Sequence, residues 1–100
     1  MATLHLLSHS PFSDSRLSSC LRVLSADDAL LLSGDAVYAL QHGTDHRRAL
    51  ELMPESIALF ALEEDLAARG MDSLPLRLQQ VDYEGFVELC CRYDRTNSWL

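Results

Sequence analysis

Short, nearly continuous apolar runs alternate along this chain with segments whose apolar positions fall at helical spacing. The first run, ATLHLLS at residues 2–8, reads as a buried strand and is closed by HSPFSDS, a Ser/Pro/Asp cluster that predicts a turn. Beyond it Leu17, Cys20, Leu21 and Leu24 recur at i, i+3, i+4 and i+7, one helix face, with Arg16 and Arg22 off the stripe. Ser13 or Asp14 is the expected cap of this helix and Ser25 its expected end. Residues 29–32 read as a second buried strand, after which Gly34 and Asp35 open the next segment.

AVYALQHG predicts a short helical turn closed by Gly43, and TDHRRALELM a second, started by Thr44 or Asp45 and stopped by Pro54. SIALFALE, residues 56–63, is a third strand. EDLAARG is acidic in its first turn and ends in Arg69 and Gly70, the charge polarity that a helix dipole favours. After the linker MDSLP, LRLQQVDY is a fourth strand with poorer alternation. YEGFVELCCRYD puts Tyr83, Phe86, Cys90 and Tyr93 on one stripe and Val87 and Cys91 on the adjoining one, an amphipathic helix weakened by Gly85. The tail RTNSWL, which holds the only tryptophan, is expected as a short edge strand or a docked terminus.

Strands alternating with helices predict βαβ units and a mostly parallel sheet covered on both faces. The expected fold class is α/β: a small three-layer α/β/α domain, doubly wound by right-handed crossovers. A length of 100 residues suits one domain, 1–100, with a core of its own.

Charge narrows the function classes. Fifteen acidic residues face 8 basic ones, all arginine, for a net charge of −7. Such a surface repels phosphate backbones and anionic lipid, so no direct nucleic-acid or membrane partner is expected. The N-terminal segment has neither a basic n-region nor a long apolar run, which predicts a cytoplasmic protein. Cys20, Cys90 and Cys91 are odd in number and lack CxxC spacing, so they are read as reduced thiols.

No Gly-rich phosphate loop follows a predicted strand, and without lysine a P-loop is impossible, which removes nucleotide hydrolysis. The spacing allows His5 and His9 to share one face of the first strand and His42 and His46 to share one helical turn, but neither pair has a third ligand near it, so surface or loop histidines are expected rather than a metal site. No cofactor is expected. GxSxG is absent, and with it the nucleophile elbow of a serine hydrolase. Among the thiols, Cys20 lies in mid-helix or later with only Arg16 on its side, and spacing alone favours a packed core group over a reactive one. Cys90 and Cys91, near a helix C-terminus where the dipole disfavours an anion, read as still more structural.

HSPF, LSSCL, GDAVYAL, EEDLAARG and above all VDYEGFVELC with the terminal SWL, taken in order and spacing, resemble the TusB/DsrH family of sulfur-relay proteins over essentially the whole chain. The resemblance implies a DsrE/DsrF/DsrH-like fold working inside a heterohexamer with homologous TusC- and TusD-like subunits. It implies a relay that takes persulfide sulfur from TusA and passes it towards TusE, for 2-thiolation of the tRNA wobble uridine. A DsrH-type role in dissimilatory sulfur oxidation is the family's other branch. In both, the principal sulfur-accepting cysteine belongs to the TusD/DsrE subunit, which makes a chain of this kind a non-catalytic subunit of a sulfurtransferase complex. Cys20 matches a cysteine of DsrH-type members where other TusB members carry an apolar residue, so the resemblance leaves it open between persulfide carrier and packing group. A plain α/β protein-interaction domain is the remaining alternative.

Overall fold

The computed structural model describes residues 2–99; Met1 and Leu100, the last residue of the predicted tail, lie outside the described residues. In chain order the elements are β1 (Thr3–Leu7), α1 (Arg16–Val23), β2 (Ala29–Leu32), a 3-10 helix (Gly34–Leu40), α2 (Asp45–Glu51), β3 (Ala58–Leu62), α3 (Glu63–Ala68), β4 (Leu78–Val81), α4 (Tyr83–Arg92) and β5 (Arg95–Trp99). The sheet order is β4-β3-β2-β1-β5. All four pairings are parallel, with Leu4 opposite Ala29 and Thr96, Ala29 opposite Ala58, and Leu59 opposite Leu78.

That order fixes which helices cover which face. The first three crossovers each step to the next strand in one direction, whereas the last returns across the whole sheet from β4 to β5. Right-handed crossovers therefore put α1, the 3-10 helix, α2 and α3 on one face and α4 alone on the other. The core divides accordingly. Leu7, Leu30, Leu32, Leu59 and Ala61 pack with Leu17, Cys20, Val37, Leu40, Leu50 and Leu66. On the reverse face Leu4, Ala29, Leu31 and Phe60 pack with Leu89.

Local chemistry explains the element ends. Thr44 Oγ1 accepts the Arg47 amide at 3.2 Å and caps α2. Asp82 Oδ1 accepts the Gly85 amide at 2.7 Å and caps α4. For α1 the cap position is Ser15, which makes no side-chain cap bond; Asp14 Oδ1 accepts the Arg16 amide at 3.0 Å instead. The Arg16 amide and guanidinium hold the Asp14 carboxyl below its usual range against a smaller opposing effect of desolvation.

The short helical turn expected after β2 is present and winds as a 3-10 helix, its buried positions Ala36, Val37, Ala39 and Leu40 repeating every three residues and eclipsing at three residues per turn. One expectation needs correction. In α4 the buried position is Leu89, with Phe86, Cys90 and Tyr93 half-buried beside it, while Tyr83 and Val87 are 61% and 49% exposed. The face turned to the sheet is thus rotated away from the predicted Tyr83 and Val87 positions.

Residues 71–77 have no helix or strand, and arginine holds them. The Arg77 guanidinium donates to the carbonyls of Leu50, Glu51, Met53, Pro54 and Ile57 at 3.2, 3.2, 2.6, 2.9 and 2.8 Å. It thereby satisfies the open carbonyl end of α2. Arg47 Nη1 donates to the carbonyls of Leu40 and Ser73 at 3.3 and 2.5 Å. A planar fork can span several acceptors at once where an ammonium cannot, which suits a chain whose only strong cations are arginines.

Candidate functional site

In parallel α/β sheets ligands bind outside the carboxyl ends of the strands, where successive helices leave to opposite faces. Here that place lies between β3 and β4, because α3 and α4 cover different faces. The carboxyl end presents Ser8 and His9 after β1, Ser33, Gly34 and Asp35 after β2, Glu63, Glu64 and Asp65 after β3, and Asp82 after β4. Gly34 sits at φ 51°, and a Cβ on it would approach the Ser8 carbonyl to 3.2 Å, so the β2 turn requires glycine. The Gly34 amide donates to Asp65 Oδ2 at 2.8 Å. Arg69 bonds Asp35 at 2.9 Å, stands 3.6 Å from Asp65 and lies 5.7 Å over the Tyr38 ring, and the Asp35 bond raises its pKa. These groups are engaged with one another, and none is a thiol.

The thiols lie elsewhere. Cys20, at mid-length of α1, is 0% exposed among Leu17, Leu30 and their neighbours. Burial, with the negative charge of Asp28 added, pushes its thiol up to about 12 from 9.0. Arg16 does not offset this; its guanidinium pairs with Asp14. A thiol held that far up carries little thiolate at neutral pH and is a poor nucleophile in the folded chain. Cys90 is half-buried and Cys91 exposed at the far end of α4, which returns the chain from the carboxyl end of β4 to the amino end of β5.

The buried polar cluster is at the amino end of the sheet. His5 and Asp28 are 4% and 3% exposed. Asp28 Oδ1 accepts the Thr3 amide at 2.9 Å, and its Oδ2 accepts the Ser25 amide at 3.0 Å and faces His5 Nε2 at 3.2 Å. Trp99 Nε1 donates to His5 Nδ1 at 3.1 Å. An indole N–H can only donate, so Nδ1 carries the lone pair and Nε2 the proton, which goes to Asp28. Desolvation would raise the Asp28 carboxyl, but the Ser25 and Thr3 amides and His5 together hold it below its usual range. Beside this cluster opens a hollow of about 410 Å³ lined by Thr3, Ser25, Arg95 and Asn97 among others. A larger one of about 550 Å³ lies by the end of α2 and is walled in part by Arg77, whose donors are already engaged.

Sequence reading singled out Cys20 and placed His5 on a surface or loop; the structure buries both and brings Asp28 and Trp99 to His5. The one available signal was parity. His5 shares its side of β1 with Leu7, and Asp28 directly precedes a fully apolar strand. His9 meets the Ser8 hydroxyl and acts on the Asp14 carboxyl, His42 is exposed, and the His46 ring packs edge-on to Phe12 at 5.0 Å. Among the described residues no three His, Cys, Asp or Glu side chains are grouped to hold a metal ion. None of their helices is long and apolar enough to cross a membrane.

Residues 9–96 match the family model described as DsrH like protein. Protein TusB of Erwinia tasmaniensis is 39% identical over 97 residues, covering 96% of this chain and 99% of that one. Proteins of the same name from Shigella flexneri and Buchnera aphidicola are 36% and 31% identical with the same coverage. Among solved structures, the YchN protein of E. coli superposes with a TM-score of 0.84 over 98% of both chains at 17% identity. MTH1491 of Methanobacterium thermoautotrophicum does so at 0.69 over 94% of this chain and 95% of that one, at 16% identity. These two likenesses establish the small α/β fold.

Proposed function

The chain belongs to the DsrH-like protein family, and on that premise we propose that it is a TusB-type subunit of a cytoplasmic sulfur-relay complex. The relay passes persulfide sulfur from TusA towards TusE for 2-thiolation of the tRNA wobble uridine, and the chain assembles with TusC- and TusD-like subunits. The observation that carries this reading is the full-length similarity to proteins named TusB. Geometry supports an accessory rather than a sulfur-carrying part. Among the described residues the carboxyl end of the sheet, where a parallel domain offers its site, holds no cysteine, and Cys20 is sealed in the core.

Co-expression with TusC- and TusD-like chains from the same source tests the assembly: the three co-purify under reducing conditions, and failure to do so overturns it. Deleting the gene abolishes 2-thiouridine in the tRNA, and a Cys20→Leu copy restores it. A mass increment of one sulfur atom on the Cys20 peptide, after incubation with a persulfide donor, assigns the carrier role to Cys20 and overturns the accessory reading. Thiolation that survives deletion points instead to the DsrH-type branch, which adjacent sulfite-reductase genes would mark.

A further inference from the structure

We infer that His5 is a proton-controlled latch on β5: protonation of its imidazole releases Trp99 and frees the last strand from the core. β5 is an edge strand paired only with β1, and Arg95, Thr96, Asn97 and Ser98 are all exposed. Its first residue is fixed to the N-terminus, where the Asp94 and Arg95 amides meet the Ala2 carbonyl at 3.0 and 3.4 Å and Asp94 Oδ2 accepts the Ala2 amide at 2.9 Å. At its other end the side-chain anchor is Trp99, packed on the core beside Leu7 and donating to His5 Nδ1.

The latch follows from donor and acceptor counting. With Nε2–H directed at Asp28, the only site left for a second proton is Nδ1, whose lone pair the indole N–H occupies. A proton on Nδ1 would set two donors head to head in a site 4% exposed, so proton binding and the Trp99 bond exclude one another. Asp28 stays in place through its two amide bonds and receives the imidazolium, so the ring is kept while Trp99 is expelled. The groups facing this centre are Asp28 at the head of β2, Cys20 from α1, which feels the Asp28 charge, and Arg95 of β5 in the adjoining hollow; Tyr93, at the end of α4, packs on the opposite face of the sheet and feels the Asp28 charge from there. Burial keeps the Cys20 thiol and, foremost among its causes, the Tyr93 phenol protonated at neutral pH. Histidine is the side-chain type whose charge ordinarily changes between pH 8 and 5, which sets the range over which the latch is tested.

Trp99 is the only tryptophan, so its emission reports this single bond. The test follows emission maximum, acrylamide quenching and far-UV circular dichroism of the full chain from pH 8 to 5, for wild type and for His5→Asn and His5→Gln. Wild type shows a red shift and stronger quenching at lower pH with its helix signal intact, and both variants are flat. A flat wild type, the same transition in the variants, or a shift that coincides with loss of the helix signal overturns the latch. The imidazole nitrogen resonances of wild-type His5 keep the test independent of the variants' folding. At pH 8 they report the Nε2–H tautomer, and an Nδ1–H tautomer is fatal to the idea.

Discussion

The two faces of the sheet are built to different standards. One carries α1, the 3-10 helix, α2 and α3, and its strand residues Leu7, Leu30, Leu32 and Leu59 are at most 1% exposed. The other carries α4 alone, a helix of 10 residues laid over five strands, and only Leu89 of it is fully buried. Leu6, Ala58, Leu62, Val81, Phe86 and Tyr93 remain half-covered there. The asymmetry follows from strand order and right-handed crossover together, and its lesson is that stability resides on the first face while the second has room to change.

The largest test of that difference removes a large side chain from each face. Leu32→Ala costs about 3–5 kcal/mol in urea unfolding, because helices on every side prevent collapse into the cavity. Leu89→Ala falls nearer about 2 kcal/mol, since the half-exposed neighbours of α4 can settle inward. Equal costs would remove the distinction.

Next is the arginine that closes the thicker face. Arg77→Ala strands the carbonyls at the end of α2 and costs about 1–3 kcal/mol, and Arg77→Lys recovers only a minor part of it in the same measurement. Full recovery by lysine would mean that charge, not the fork, holds residues 71–77.

On the thinner face, Asp82→Ala removes the cap of α4 and costs about 1 kcal/mol by thermal or urea unfolding. Smallest of all, Tyr83→Ser and Val87→Ser each stay within about 0.5 kcal/mol of wild type, because both side chains already face water. A cost near that of Leu89→Ala would place them in the core after all.

Much of this was legible along the chain. Each apolar run became a strand where expected, the caps Thr44 and Asp82 lie at residues whose side chains favour them, and the tail RTNSW became an edge strand. The candidate chemistry was less legible. A stripe such as Tyr83, Phe86, Cys90 and Tyr93 states which residues share a helix face; the angle at which that helix meets the sheet decides which of them is buried. For Cys20 the spacing named the core stripe correctly, yet its distance from Arg16 and its nearness to Asp28 depend on where β2 lies under α1.

By itself, then, the sequence determined the periodicities, and with them the succession of elements and the parallel α/β class, because those depend on residues close together in the chain. Only the tertiary structure decided the contacts between distant segments. It set β5 beside β1, which brings Trp99 to a histidine 94 positions earlier and an aspartate at the head of β2 to the same ring. Long-range pairing carries no local signature: a histidine inside an apolar run looks the same whether water or a buried carboxylate awaits its proton.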